Sequence, residues 1–172
     1  MSQPEKPLRA FRLTLAYDGT NYFGWQRQPD QPTVQACVEQ ALAKITGEAR
    51  VKVYASSRTD TGVHAIGQSA VFRTRQWNAS ADAISFALNT KLPSDIVARD
   101  AIEVELTCHP LRDSTGKRYH YRIYCSRKDD PINKRTHWWV RRKIQLESMQ
   151  QAAQYLVGEH DFFSFQSAGS PR

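Results

Sequence analysis

An aspartate stands in the middle of the string Ser56-Ser57-Arg58-Thr59-Asp60-Thr61-Gly62-Val63-His64. A carboxylate carried on a loop can serve as a nucleophile or a general base. Gly62 supports the tight backbone such a loop needs. Arg58, two residues upstream, is a cation able to keep the acid ionised. Asp, Thr and Gly are also ordinary turn formers, so the string alone fits a plain surface turn somewhat better than a catalytic loop. Asp60-Thr61-Gly62 further matches the short signature of aspartic proteases, where two carboxylates share a proton. Those signatures close an apolar strand, whereas Ser56, Ser57, Arg58 and Thr59 precede this acid. Two clear helices also contradict an all-β protease.

Metal chemistry finds no support. Cys37, Cys108 and Cys125 are odd in number and far apart, with no Cys-x-x-Cys pair, so neither a zinc site nor a disulfide framework is expected. They read as buried free thiols in a reducing compartment. No Gly-rich phosphate loop is present either.

Charge points towards a polyanion. The formal net charge is +7. Between Arg112 and Lys143 stand eleven Lys or Arg against Asp113, Asp129 and Asp130, so this stretch accounts for the whole excess. Tyr119, Tyr121, Tyr124, Trp138 and Trp139 are interleaved with the cations. Cations beside aromatic faces suit a phosphate backbone with unstacked bases. A solvated basic face over a few core aromatics is the simpler alternative.

The elements that must carry these residues follow from periodicity. Phe11, Leu13, Leu15 and Tyr17 alternate with Arg12, Thr14 and Ala16, a strand pattern that stops at Asp18-Gly19. Thr33 is placed to cap a helix with apolar positions Val34, Cys37, Val38, Ala41, Leu42 and Ile45, closed by Gly47. Val51, Val53 and Ala55 make a second strand, residues 66–73 a third. Ser80 opens a second helix through Ile84, Ala87 and Leu88, and residues 96–106 make a fourth strand. Strand, helix, strand, strand, helix, strand is the split βαβ, or ferredoxin-like, order. The expected class is α+β with an antiparallel sheet over residues 1–107, which carries the Asp60 loop. Residues 108–172 begin a second α+β half. It has a strand at 117–125, another at 136–140, and a helix through Leu146, Met149, Ala153, Leu156 and Val157 that Gly158 ends. That half lacks enough sheet to cover its helix and is expected to be incomplete. No apolar run reaches the roughly 20 residues of a membrane span, and the first residues carry no secretory signal. A cytoplasmic protein is therefore expected.

Several motifs in order resemble one family. Tyr17-Asp18-Gly19, Tyr22 and Gly24-Trp25-Gln26-Arg27-Gln28 resemble the opening of the tRNA pseudouridine synthase A family. So do Arg58-Thr59-Asp60, Gly62-Val63-His64 and Gly67-Gln68. Lys117-Arg118-Tyr119-His120-Tyr121-Arg122-Ile123-Tyr124 is similar to its second strand motif, and Gly158-Glu159-His160-Asp161-Phe162 with Ser164-Phe165 to the motif after its long helix. Ser57 and Thr61 stand where the family more often has Gly and Ala, and residues 108–114 depart from its usual Phe-x-Ala-Arg-Phe pattern.

The resemblance implies isomerisation of uridine to pseudouridine at positions 38, 39 and 40 of the tRNA anticodon stem-loop. It implies that Asp60 is the nucleophile, that Arg58 helps extrude the target base, and that Tyr119 stacks on that base and takes part in proton transfer. His64, Trp25 and Arg27 are expected near the substrate, with loop support as the competing role for each. The resemblance also implies a homodimer, tRNA as partner, and no metal or other cofactor. Family members continue past the position of Arg172, so a C-terminally truncated member is expected. The rival reading is a non-catalytic RNA-binding module of the same fold.

Overall fold

The computed structural model describes residues 6–166. The alternation of Phe11, Leu13, Leu15 and Tyr17 with more polar neighbours makes one face of an extended segment apolar. That segment is β1 (Arg9–Tyr17), and it lies inside a four-stranded sheet with β2 (Val53–Ala55), β3 (Ala65–Thr74) and β4 (Ile96–Val104). The order is β2-β3-β1-β4, and every neighbouring pair is antiparallel. Register sets Leu13 beside Ala70 and Ala101, and Phe11 beside Phe72. Tyr17, the last residue of β1, pairs with Ala65 and Ile96, the first residues of β3 and β4. One end of the sheet therefore gathers the loops around Asp18, Asp60 and Asp95.

Two helices complete the core. In α1 (Val34–Thr46) Val34, Val38, Ala41 and Leu42 are buried, spaced by three and four residues as a helical stripe requires. Gly47 ends it with φ 75°, and its N–H bonds the Ala43 carbonyl. In α2 (Asp82–Asn89) Ile84 and Leu88 are buried. These side chains form one cluster with the inward residues of β1 and with Val53, Phe72, Ile96 and Ala98.

Two local expectations need correction. Thr33 takes the N-cap position, but its hydroxyl makes no capping bond and is buried without a hydrogen-bond partner among the described residues. Of the two amides such a cap serves, that of Gln35 is already engaged by the Trp25 carbonyl at 3.0 Å; the first helical amide, Val34 N–H, bonds the Gly24 carbonyl at 3.2 Å. α2 begins at Asp82 rather than at Ser80, whose carbonyl instead accepts the Trp77 indole N–H.

A second compact unit follows, divided from the first between Tyr119 and His120. It holds β5 (Ile123–Cys125) and β6 (Trp138–Val140), paired in parallel, and α3 (Leu146–Gln154). The strand expected at 117–125 is thus only three residues long, because a strand extends only where a neighbour accepts its bonds, and β6 offers three residues. The helix stops at Gln154, not at Gly158. Residues 155–157 tighten into i to i−3 bonds, Tyr155 N–H to the Ala152 carbonyl among them. No residue between 120 and 166 is buried. Cys125 is accordingly exposed, and Cys37 and Cys108 are half-buried, which corrects the expectation of three buried thiols. Among the described residues, no helix is long and apolar enough to cross a membrane.

Leu13 is fully buried at the centre of the sheet. Leu13→Ala should cost about 2–5 kcal/mol in urea unfolding, whereas Ile132→Ala, at an exposed position, should stay within about 0.5 kcal/mol of the parent.

Candidate active site

The Asp60 loop is held by the backbone of a second loop. Trp25 N–H bonds the Thr59 carbonyl at 2.9 Å, and Gly62 N–H bonds the Tyr22 carbonyl at 3.2 Å. Asp60 lies between these two anchors. Val63 N–H closes a turn onto the Asp60 carbonyl at 3.1 Å, and Gly62 adopts φ 78°, as glycine readily does. The approach is close enough to exclude side chains. A Cβ at Gly24, itself at φ 78°, would lie 2.4 Å from the Thr59 carbonyl oxygen, and one at Gly19 would lie 2.0 Å from that of Val63.

Side chains from the strands reinforce the clasp. The Tyr17 hydroxyl meets the Thr59 hydroxyl at 2.8 Å. Buried Gln68 of β3 donates to the Ser57 carbonyl at 2.5 Å and accepts from the Ser57 hydroxyl at 3.2 Å. His64 Nδ1 lies 3.1 Å from Gly19 N and 3.0 Å from the Asp18 carboxylate. Unprotonated at Nδ1, the ring accepts the Gly19 N–H; protonated there, it donates to Asp18. Either way His64 ties the far end of the loop to the turn after β1. Tyr22 donates to the Asp95 carboxylate at 2.5 Å. Burial, then this bond, pushes the Tyr22 hydroxyl well above the usual tyrosine range. Burial likewise raises Tyr17.

The expected chemical groups project from this frame. Asp60 and Arg58 are both exposed. No ion pair joins them among the described residues, so the neighbouring cation expected beside the acid is not in contact with it. Tyr119 is exposed, with neither a hydrogen bond nor a ring contact among the described residues. The structure therefore brings Arg58, Asp60 and His64 onto one clamped loop and leaves Tyr119 in an irregular stretch.

Trp25 and Arg27 are placed differently. Trp25 is only 2% exposed and packs against Tyr17, with ring centroids 6.1 Å apart. Arg27 Nη1 donates to Glu39 at 2.8 Å. Glu39 is the residue that sequence reasoning missed. It falls on the buried side of α1, and the one available signal was a charge inside that helix's apolar spacing. Gln35, uncharged, gave no such signal, and only its contacts in the fold reveal it.

A family model described as tRNA pseudouridine synthase matches residues 14–111. The tRNA pseudouridine synthase A of Acetivibrio thermocellus is 44% identical over 163 residues, covering 95% of this chain and 66% of the relative. That of Geotalea uraniireducens is 43% identical over 161 residues, covering 94% and 65%. The Myxococcus xanthus protein of the same name is 44% identical over 157 residues, covering 91% and 58%. The chain thus spans about two thirds or less of the length of these relatives.

Two outcomes follow from the clasp. Gly24→Ala meets both an unfavourable φ and the Thr59 backbone, so it should destabilise the unit more than Gly62→Ala, which meets only φ strain worth about 1–2 kcal/mol; thermal melts of both variants decide. The raised tyrosines set a pH limit. Their contribution is complete below the ordinary tyrosine pKa of about 10 and is lost as pH climbs above it towards the folded value. Stability should therefore fall in alkali more steeply for the parent than for Tyr22→Phe, as measured by urea unfolding across that range.

Proposed function

The chain belongs to the tRNA pseudouridine synthase family, and from that premise we propose that it isomerises uridine to pseudouridine in tRNA with Asp60 as nucleophile. One observation carries the reading. The Asp60 carboxylate is open to solvent while the backbone on both sides of it is bonded to a neighbouring loop. A nucleophile needs that combination of access and fixed position.

In the proposed reaction the N1–C1′ glycosidic bond breaks, uracil turns over, and a C5–C1′ bond forms. The proton on C5 leaves to solvent and N1 gains one, so the change is redox-neutral and calls for no metal or nucleotide cofactor. The target base must first leave its stack, at a cost of a few kcal/mol. Arg58 is exposed and forms no ion pair among the described residues, so its guanidinium is available to a phosphate or to the extruded base. Tyr119 offers an exposed ring for that base to stack on. Trp25 and His64 hold the loop. The substrate sites are uridines 38, 39 and 40 of the anticodon stem-loop, and the working form is a cytoplasmic homodimer. We also read the sheet as ferredoxin-like, a reading that the order β2-β3-β1-β4 with antiparallel neighbours supports, with its domain ending near residue 107.

A second reading draws on the second unit, where exposed cations surround exposed aromatics and Arg141 lies 4.6 Å above the Trp139 ring. It is a module that binds RNA without modifying it.

Tritium release from tRNA carrying 5-tritiated uridine separates the readings. The parent should release tritium, and Asp60→Ala should release none while binding tRNA as tightly as the parent or more so, since a carboxylate near phosphates repels them. Equal release from both would sink the mechanism. Binding without release from either would favour the module.

A further inference from the structure

Glu39 lies almost wholly inside the protein and gathers three donors. Its Oε2 accepts from Arg27 Nη1 at 2.8 Å; its Oε1 accepts from Gln35 Nε2 at 3.1 Å and from the Val53 N–H at 3.2 Å. Gln35 completes the arrangement. Its Nε2 also donates to the Val53 carbonyl at 3.0 Å, and its Oε1 accepts the Arg27 N–H at 2.9 Å.

Two features of this cluster matter for Asp60. Among the described residues β2 is an edge strand, so the outward N–H and C=O of Val53 have no strand there to pair with, and Glu39 and Gln35 take both. β2 then runs directly into residues 56–60. On the other side, the loop pinned through Arg27 is the one whose Tyr22 and Trp25 backbone groups grip Gly62 and Thr59. Glu39 thus joins the strand that leads into the Asp60 loop to the loop that clamps it. A buried carboxylate requires a cation and a full set of donors; Arg27 is the cation it has.

We infer that Glu39 is a positioning residue for the Asp60 loop, and that Arg27 acts by pairing with Glu39 rather than by touching RNA. The inference rests on the proposed synthase activity for its catalytic consequence. Its structural content stands apart and is tested apart.

The experiment compares Arg27→Met, Glu39→Gln, the double variant and Arg27→Lys in the full chain. Amide exchange at Trp25 and Gly62 is read first. Arg27→Met and Glu39→Gln should each speed it about tenfold, the double variant should add little, and Arg27→Lys should restore the parent rate. Exchange at Leu13, in the centre of the sheet, should not move. In tritium release, kcat should fall about tenfold for the single variants with tRNA affinity and its salt dependence unchanged. Unchanged exchange at Trp25 and Gly62 in Arg27→Met overturns the inference whether or not the chain is active. So does weaker tRNA binding by that variant with a salt slope smaller by about one, the mark of a lost phosphate contact. If Glu39→Gln fails to fold, Arg27→Met and Arg27→Lys decide alone. Release of tritium by Asp60→Ala would remove the catalytic reading and leave the exchange result as it stands.

Discussion

The contact on which the site depends is backbone against backbone: the loop after β1 closes over the loop before β3. Two irregular segments meet with their peptide groups paired and with glycine wherever the surfaces approach too closely for a Cβ. Loop peptide groups buried without partners would each cost a few kcal/mol, so neither loop could hold this shape alone. The sheet makes the meeting possible. With β3 between β1 and β2, and β1 antiparallel to β3, the end of β1 and the start of β3 are neighbours, and the loops beyond them have to cross. Tyr17, Gln68 and His64 then lock the crossing from below and at either end.

That construction separates two demands that usually conflict. An ionised carboxylate is cheapest in water, whereas a catalytic group must be held still. Here the Asp60 side chain keeps its solvent while its backbone carries the order. The absence of an Arg58–Asp60 pair fits the same division. Exposed ions a few ångströms apart attract weakly in high dielectric and must give up side-chain entropy to meet. Catalytic hydrogen bonds often tighten only once substrate excludes water. A guanidinium outside any ion pair among the described residues suits the polyanion proposed for this site.

What could be read along the chain was local in origin. The alternation in β1, the three-and-four spacing of α1 and the left-handed Gly47 each depend on residues within a turn or two of one another, so their physics is visible in the string. Several misjudged features depend on partners more than a helical turn away. Thr33 gives up one of its capping targets because the Trp25 carbonyl already takes the Gln35 amide. Strand 117–125 shrinks to three residues because its length is set by β6. Trp25 and Arg27 sit in a polar loop and resemble surface residues until the tertiary fold buries one and pairs the other with Glu39. The Asp60 loop was legible as a candidate because acid, glycine and cation are contiguous, yet nothing contiguous reveals what holds it.

Glu39 makes the last point about how such a fold is specified. Replacing a buried ion pair with apolar side chains is often neutral or stabilising, so an apolar residue would serve the core of α1 at least as well. Apolar packing would still leave the Val53 N–H without its acceptor and the 22–28 loop tied to α1 only through its own backbone. A carboxylate with three donors fixes direction and register where a methyl group fixes only proximity. Stability is therefore the wrong measure of its value. The pair stands between β2 and the clamping loop, so on the proposed reading its worth lies in the geometry it passes on to Asp60.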